Sequence, residues 1–220
     1  MYTTVLFDLD GTLLDTLQDL AAAGNHTLSA LGLPPHPVNA YRKMVGNGIP
    51  KLIERMLPKN CRGEATQKIA NNLFARYYAQ HMDDFTHPYY GISGLLQTLK
   101  QRGILLGVVT NKAHPFATQV VQQHFAGIFN AVIGLQEGFE AKPHPGLVQH
   151  IMGQLGAVPA TTLYCGDSDV DMYTARNAGL TSCGVLWGFR DEEELTAAGA
   201  NFLASDVEAL AQIILEEPLL

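Results

Sequence analysis

The stretch Thr4-Val5-Leu6-Phe7-Asp8-Leu9-Asp10-Gly11-Thr12-Leu13-Leu14-Asp15-Thr16 sets an apolar run directly before two carboxylates, two residues apart, and a glycine turn. The run reads as a buried strand. Side chains alternate along a strand, but where it gives way to a turn Asp8 and Asp10 can both face the space above its end. Such a pair outlines phosphoryl transfer: one carboxylate attacks phosphorus while the other manages the proton of the leaving oxygen. Their joint negative charge calls for a divalent cation before an anionic phosphate approaches. By itself the stretch fits equally well a strand closed by an ordinary Asp-Gly turn, so the rest of the chain decides.

From Leu105 onward short apolar runs alternate with helical stretches. Leu105 to Thr110, Ala131 to Gly134, Thr162 to Cys165 and Thr181 to Val185 read as strands buried on both faces, as in a parallel sheet covered by helices. With Val5 to Asp8 they make five. Pro115 and Pro145 stand where first helical turns are expected, and Gly103, Gly156 and Gly179 where helices stop. Ser205-Asp206-Val207-Glu208 has the form of a capping box ahead of a helix over 209–215. This alternation predicts an α/β fold with a doubly wound parallel sheet.

Between the first two strands the pattern is helical for too long to be a simple crossover. Leu17, Leu20, Ala21, Leu28 and Leu31 share a face, and Leu52, Ile53, Met56 and Leu57, then Ile69, Leu73, Phe74 and Tyr77, repeat the theme. Breakers at 32–35, 46–48 and Pro58 divide the segment into about four helices. The expected organisation is a core of residues 1–15 and 85–220 with an inserted helical cap over 16–84, hinged near Asp15-Thr16 and near Phe85 to Pro88.

Composition narrows the class. The 220 residues are 47% hydrophobic and 16% charged, enough for a full core. A net charge of −7 without a basic stripe argues against a nucleic-acid partner but not against a local site for small anions. Met1 to Thr4 carries no basic stretch before an apolar run, and no window reaches the length of a membrane span, so neither secretion nor insertion is expected. Cys61, Cys165 and Cys183 are odd in number and widely spaced. They read as reduced thiols of a cytoplasmic protein, not as a disulfide framework or zinc site.

Parallel sheets bind ligands beyond the carboxyl ends of their strands. The first run ends in Asp8 and Asp10; the second in Thr110-Asn111, whose hydroxyl and N–H groups can hold a phosphoryl oxygen where a helix is about to begin. After the third comes Lys142 in Lys142-Pro143-His144-Pro145, and the fourth delivers Gly166-Asp167-Ser168-Asp169-Val170-Asp171, a loop suited to a hard cation such as magnesium. Each has a plain structural explanation as a turn, a solvated charge or a helix cap. Their joint placement at four strand ends does not.

In these motifs (DLDGT at 8–12, VVTN at 108–111, Lys142 in KPHP, GDSDVD at 166–171) the chain resembles the haloacid dehalogenase-like superfamily of phosphohydrolases over nearly its full length. The resemblance implies a Rossmann-like core, with Asp8 as the nucleophile that forms an aspartyl-phosphate and Asp10 as general acid and base. It implies that Thr110 and Lys142 bind the transferring group, with Gly11, Thr12 and Asn111 beside it. Mg2+ is implied to sit on Asp8, the backbone carbonyl of Asp10 and Asp167, with Asp171 acting through water or an adjacent hydrogen bond. An acid at the Asp10 position separates phosphatases and phosphomutases from dehalogenases. The helical insert resembles the family's α-helical cap, the type found in phosphoglycolate phosphatases, a bacterial pyrophosphatase and β-phosphoglucomutase, while Val45-Gly46-Asn47-Gly48-Ile49 and Gly184 to Arg190 look most like phosphoglycolate phosphatases. Gly146 after KPHP and Tyr90 depart from common family residues.

Several residues fit more than one role. Arg42 and Lys43 can reach a distal anionic group or be solvated, and Gly46, Asn47 and Gly48 can offer N–H groups to an anion or merely connect helices. Trp187-Gly188 can line the site or belong to the core, while no two histidines have metal-site spacing. The expected activity is Mg2+-dependent hydrolysis of a small anionic phosphorylated metabolite, 2-phosphoglycolate first. Pyrophosphatase, sugar phosphatase and β-phosphoglucomutase-like phosphomutase are the alternatives. A non-catalytic binding protein would not need Asp8, Asp10, Lys142 and Asp167 together.

Overall fold

The first strand, β1 (Thr4–Phe7), has Val5, Leu6 and Phe7 wholly buried, as a continuous apolar run requires when helices cover both faces of a sheet. The computed structural model describes residues 2–215, so residue 1 and residues 216–220 of the expected core domain lie outside the described residues. Two short strands, β2 (Leu14–Asp15) and β3 (His87–Pro88), pair with each other. The others are β4 (Leu105–Ala113), β5 (Ala131–Leu135), β6 (Thr162–Gly166), β7 (Thr181–Val185) and β8 (Phe202–Ala204). They form with β1 a six-stranded sheet of order β5-β4-β1-β6-β7-β8, every neighbouring pair parallel.

The chain winds outward from β1 in both directions, so β1 lies at the point where the strand order reverses and a crevice opens above the strand ends. Helices α4 (Ile92–Gln101), α5 (His114–Phe125), α6 (Gly146–Leu155), α7 (Asp169–Asn177), α8 (Glu192–Ala197) and α9 (Val207–Leu215) make the crossovers and the C-terminal layer. Leu147, Val148, Ile151 and Met152 of α6 pack with Leu6, Val109, Ile133 and Tyr164 of the sheet.

Three expectations change. A sixth strand, β8, follows the five expected. β4 continues through Asn111, Lys112 and Ala113, where a helix was expected to be near; α5 starts only at His114, with Pro115 in its first turn. The cap of α9 is Asp206, whose Oδ1 accepts the Ala209 N–H at 2.8 Å, not a Ser205–Glu208 box. An aspartate one residue nearer the helix takes the role because its carboxylate reaches the N–H three residues on.

The chain divides into two compact units, one made of residues up to Leu14 and from Pro88 onward, the other of Asp15–His87. The second contains α1 (Leu17–Ala30), α2 (Ile49–Met56) and α3 (Glu64–His81), with 3-10 turns over Val38–Lys43 and Lys59–Cys61. It therefore has three α-helices and two 3-10 segments where about four helices were expected. Proline accounts for part of this, since Pro37 and Pro58 stand just before the two short segments. Its core joins Leu20, Leu28, Tyr41, Leu52, Ile53, Phe74 and Tyr78, all buried.

Candidate active site

The end of β1 is stitched to β6 by the Asp8 N–H, which donates to the Cys165 carbonyl at 2.9 Å. Asp8 is buried there, and its Oδ1 lies 2.9 Å from Lys142 Nζ without hydrogen-bond alignment, an ion pair that leaves the oxygen without a satisfied hydrogen bond. Lys142 Nζ donates to Asp171 Oδ1 at 2.7 Å, to Tyr164 Oη at 3.0 Å and to the Val109 carbonyl at 3.2 Å. Burial opposes its charge, yet the carboxylates of Asp171 and Asp8 hold its pKa well above the ordinary lysine value. Asn111 clamps the Lys142 backbone: its Oδ1 accepts the Lys142 N–H at 2.7 Å and its amide donates to the Lys142 carbonyl at 3.2 Å. Asn111 thus supports Lys142 here.

Asp167 and Asp171 come from the loop between β6 and α7. Ser168 caps α7, accepting the Asp171 N–H, while Asp171 Oδ2 takes the Ser168 N–H at 3.1 Å and its hydroxyl at 2.5 Å. Asp167 Oδ1 accepts from Thr12 Oγ1 at 3.1 Å and Oδ2 from the Phe189 N–H at 2.7 Å. The Thr12 hydroxyl is therefore engaged with Asp167, and Trp187 Nε1 secures the same turn by donating to the Thr12 carbonyl at 3.0 Å. Gly188 is required by close approach, because a Cβ there would stand 2.2 Å from that of Asp167. Trp187-Gly188-Phe189 is thus a support of the site.

Asp8, Asp167 and Asp171 each offer a carboxylate oxygen within 4.8 Å of the others, and all three are buried. Burial raises Asp8 to about 7 against the pull of Lys142, and burial with the charges of Asp171 and Asp8 raises Asp167 to about 8. These carboxylates are short of positive charge. Asp8 and Asp171 share one ammonium, that of Lys142, with Asp167 beside them, and an oxygen-ligated divalent cation would balance the remaining charge, so the residues fit such an ion. Asp171 is engaged through Oδ1 with Lys142 and through Oδ2 with Ser168.

Asp10 stands on the turn beyond β1, where Gly11 adopts φ 88°. Lys112 Nζ donates to Asp10 Oδ1 at 2.9 Å. Thr110 is buried near the end of β4, its Oγ1 accepting the Lys112 N–H at 3.1 Å. Neither Lys112 nor Tyr164 is among the site residues expected from the sequence. Lys112 carries a sequence signal, a lysine directly after the Thr110-Asn111 motif, whereas Tyr164 reads only as an apolar strand residue.

The other expected residues belong to the inserted unit. Arg42 lies in the last turn of the 3-10 segment, and Gly46 (φ 114°), Asn47 and Gly48 (φ 80°) lead into α2. Arg55 of α2 braces that loop, donating to the Met44 carbonyl at 2.9 Å and to Asn47 Oδ1 at 2.7 Å. The side-chain oxygen of Asn47 is thereby engaged within the unit.

Residues 5–185 match the model of the haloacid dehalogenase-like hydrolase family. The chain belongs to that family. This haloacid dehalogenase-like hydrolase is 33% identical over 216 residues to a phosphoglycolate phosphatase of Vibrio parahaemolyticus, covering 96% of this chain and 95% of the relative. Its fold superposes with a TM-score of 0.94 on a protein of Lactobacillus delbrueckii subsp. bulgaricus assigned provisionally as a phosphoglycolate phosphatase, at 29% identity over 98% of this chain and 99% of that one. The hydrolase also resembles CbbY of Rhodobacter sphaeroides, solved as a D10N mutant in complex with xylulose 1,5-bisphosphate. There the TM-score is 0.76 and the identity 25%, over 93% of this chain and 94% of that one.

Proposed function

We propose that this hydrolase removes the phosphoryl group from a small phosphorylated metabolite through an aspartyl-phosphate on Asp8, with Mg2+ as its cofactor and 2-phosphoglycolate as its substrate. The observation that carries the reading is the buried Asp8 carboxylate, paired with Lys142 inside a cluster of carboxylates short of positive charge. Asp8 attacks phosphorus, and the bond to the leaving oxygen breaks as Asp10 gives that oxygen a proton. Asp10 then takes a proton from the water that cleaves the acyl-phosphate, releasing phosphate and regenerating Asp8. Lys142 and the Thr110 hydroxyl bear the charge of the transferring group, where positioning and charge compensation supply most of the rate. Held by Asp8, the Asp10 carbonyl and Asp167, with Asp171 beside them, Mg2+ would neutralise phosphate charge as a Lewis acid.

Selection among phosphate esters is assigned to the inserted unit, a cap over 16–84, because the sheet unit's machinery serves a group common to all of them. Arg42 and the N–H groups of Gly46 to Gly48 are the groups proposed to pair with the substrate carboxylate. The name of the Vibrio relative supports phosphoglycolate, while the bisphosphate sugar bound by CbbY supports a second reading, a sugar phosphate. The three free cysteines fit a cytoplasmic setting.

Asp8→Asn should lower turnover by about three orders of magnitude or more while the protein stays folded. Robust turnover in that variant removes the covalent route. Ranking kcat/KM over a panel of phosphorylated metabolites decides the substrate: a hexose phosphate or pyrophosphate at the top ends the phosphoglycolate assignment and leaves the mechanism standing. Within that panel Arg42→Ala should cost phosphoglycolate about tenfold or more and spare p-nitrophenyl phosphate, which has no carboxylate to pair.

A further inference from the structure

Lysines are seldom buried without a partner. The Lys112 side chain is 2% exposed, and its partner is the Asp10 carboxylate, 102 residues away in the chain. The sheet is shaped to put it there. The register between β4 and β5 shifts between Thr110 and Ala113, which re-aims the last residues of β4 as a bulge does. Gly134 on β5 makes room, for a Cβ there would meet the Lys112 carbonyl oxygen at 2.5 Å and the His114 Cα at 2.8 Å. The Gly134 N–H donates to His114 Nδ1 at 3.2 Å, and Thr110 Oγ1 receives the Lys112 N–H at 3.1 Å, so the backbone carrying Lys112 is pinned on both sides.

We propose that Lys112 is the positioning residue of Asp10: by holding Oδ1 it fixes the rotamer of the carboxylate and leaves Oδ2 to carry the proton to and from the reacting oxygen. The proposal rests on the assignment of Asp10 as leaving-group acid made above. A carboxylate on a turn has several rotamers, and a general acid acts only from the one within hydrogen-bond reach of its target. Lys142 neutralises charge next to Asp8, where phosphorus is attacked. Lys112 sits beside the proton-transfer group, and that difference makes its effect measurable through the leaving group.

The test is single-turnover phosphorylation of the Mg2+-loaded enzyme at saturating substrate, comparing an alkyl phosphate with p-nitrophenyl phosphate, whose leaving group needs little help from an acid. Lys112→Met should slow the alkyl ester about tenfold or more and the aryl ester by less than about threefold, with KM nearly unchanged. Lys112→Arg, which keeps a donor toward Asp10, should recover much of the alkyl rate. The double variant Lys112→Met with Asp10→Asn should be no slower on the alkyl ester than Asp10→Asn alone, since both changes remove one function. Equal losses on the two esters, or full additivity in the double variant, overturn the proposal. If Lys112→Met does not fold, Lys112→Gln in the same assay decides on the same criteria. Should Asp10→Asn itself fail to discriminate between the esters, the Asp10 assignment falls and takes this proposal with it. Discrimination by Asp10→Asn but not by the Lys112 variants removes this proposal alone.

Discussion

Asp167 is held by a hydroxyl, a backbone N–H and the absence of a side chain at Gly188, all from segments that folding brings together. The cost is a charge buried beside Asp8 and Asp171. With the acid in the fold raised to about 7 for Asp8 and about 8 for Asp167, the metal-free protein keeps protons that the unfolded chain releases near pH 4. The sign follows: raising pH through the interval from about 4 to about 7 or 8 removes stability, because the unfolded state binds fewer protons there. Thermal melts of metal-free protein should show Tm falling across that window, and Asp167→Asn should flatten the fall and melt higher near pH 7. Parallel pH profiles for the two proteins would count against buried like charges as the cause. The four motif positions were legible at this scale because each follows an apolar run. The partners of Thr12 and Asn111 were not, since a residue's identity does not say which distant atom its side chain will meet.

Helix α1 shows how an element is fixed by a residue that no motif marks. Asp19 lies in its first turn, where a carboxylate is favoured by the helix dipole, and is 1% exposed. It accepts the Phe85 N–H at 3.1 Å, the Thr86 N–H at 2.8 Å and the Thr86 hydroxyl at 2.7 Å, tying the start of the inserted unit to its end. Asp19→Ala leaves two N–H groups without this acceptor and should destabilise by about 2–4 kcal/mol. Urea titration would register this as a lower midpoint with an unchanged m-value. An unshifted midpoint would mean that water satisfies those groups at no cost. Strands β4 to β7 were legible because buried runs have a period and a length. β8 was not: it has three residues, and Phe202 at its start is 41% exposed, so it lacks the apolar signature.

For the molecule as a whole the proposed Mg2+ couples site to stability. A ligand that binds only the folded state adds about 2.7 kcal/mol at a hundredfold excess over Kd. Differential scanning calorimetry should show Tm rising with Mg2+, falling back with EDTA, and responding far less in Asp167→Asn; equal shifts in both proteins would place the ion elsewhere. What the sequence determined by itself was local: where apolar runs stop, which carboxylates, threonine and lysine follow them, and where a helical segment interrupts the alternation. Burial leaves that imprint because the periodicity of a strand or helix is written in neighbouring residues. Only the tertiary structure decided that β4 and β6 flank β1 and that β5 lies beside β4. Their ends therefore bring Lys142 and Tyr164 together with Asp171, and Lys112 onto Asp10. Strand order and register depend on packing summed over the whole sheet, so contacts spanning tens of residues leave no period to read.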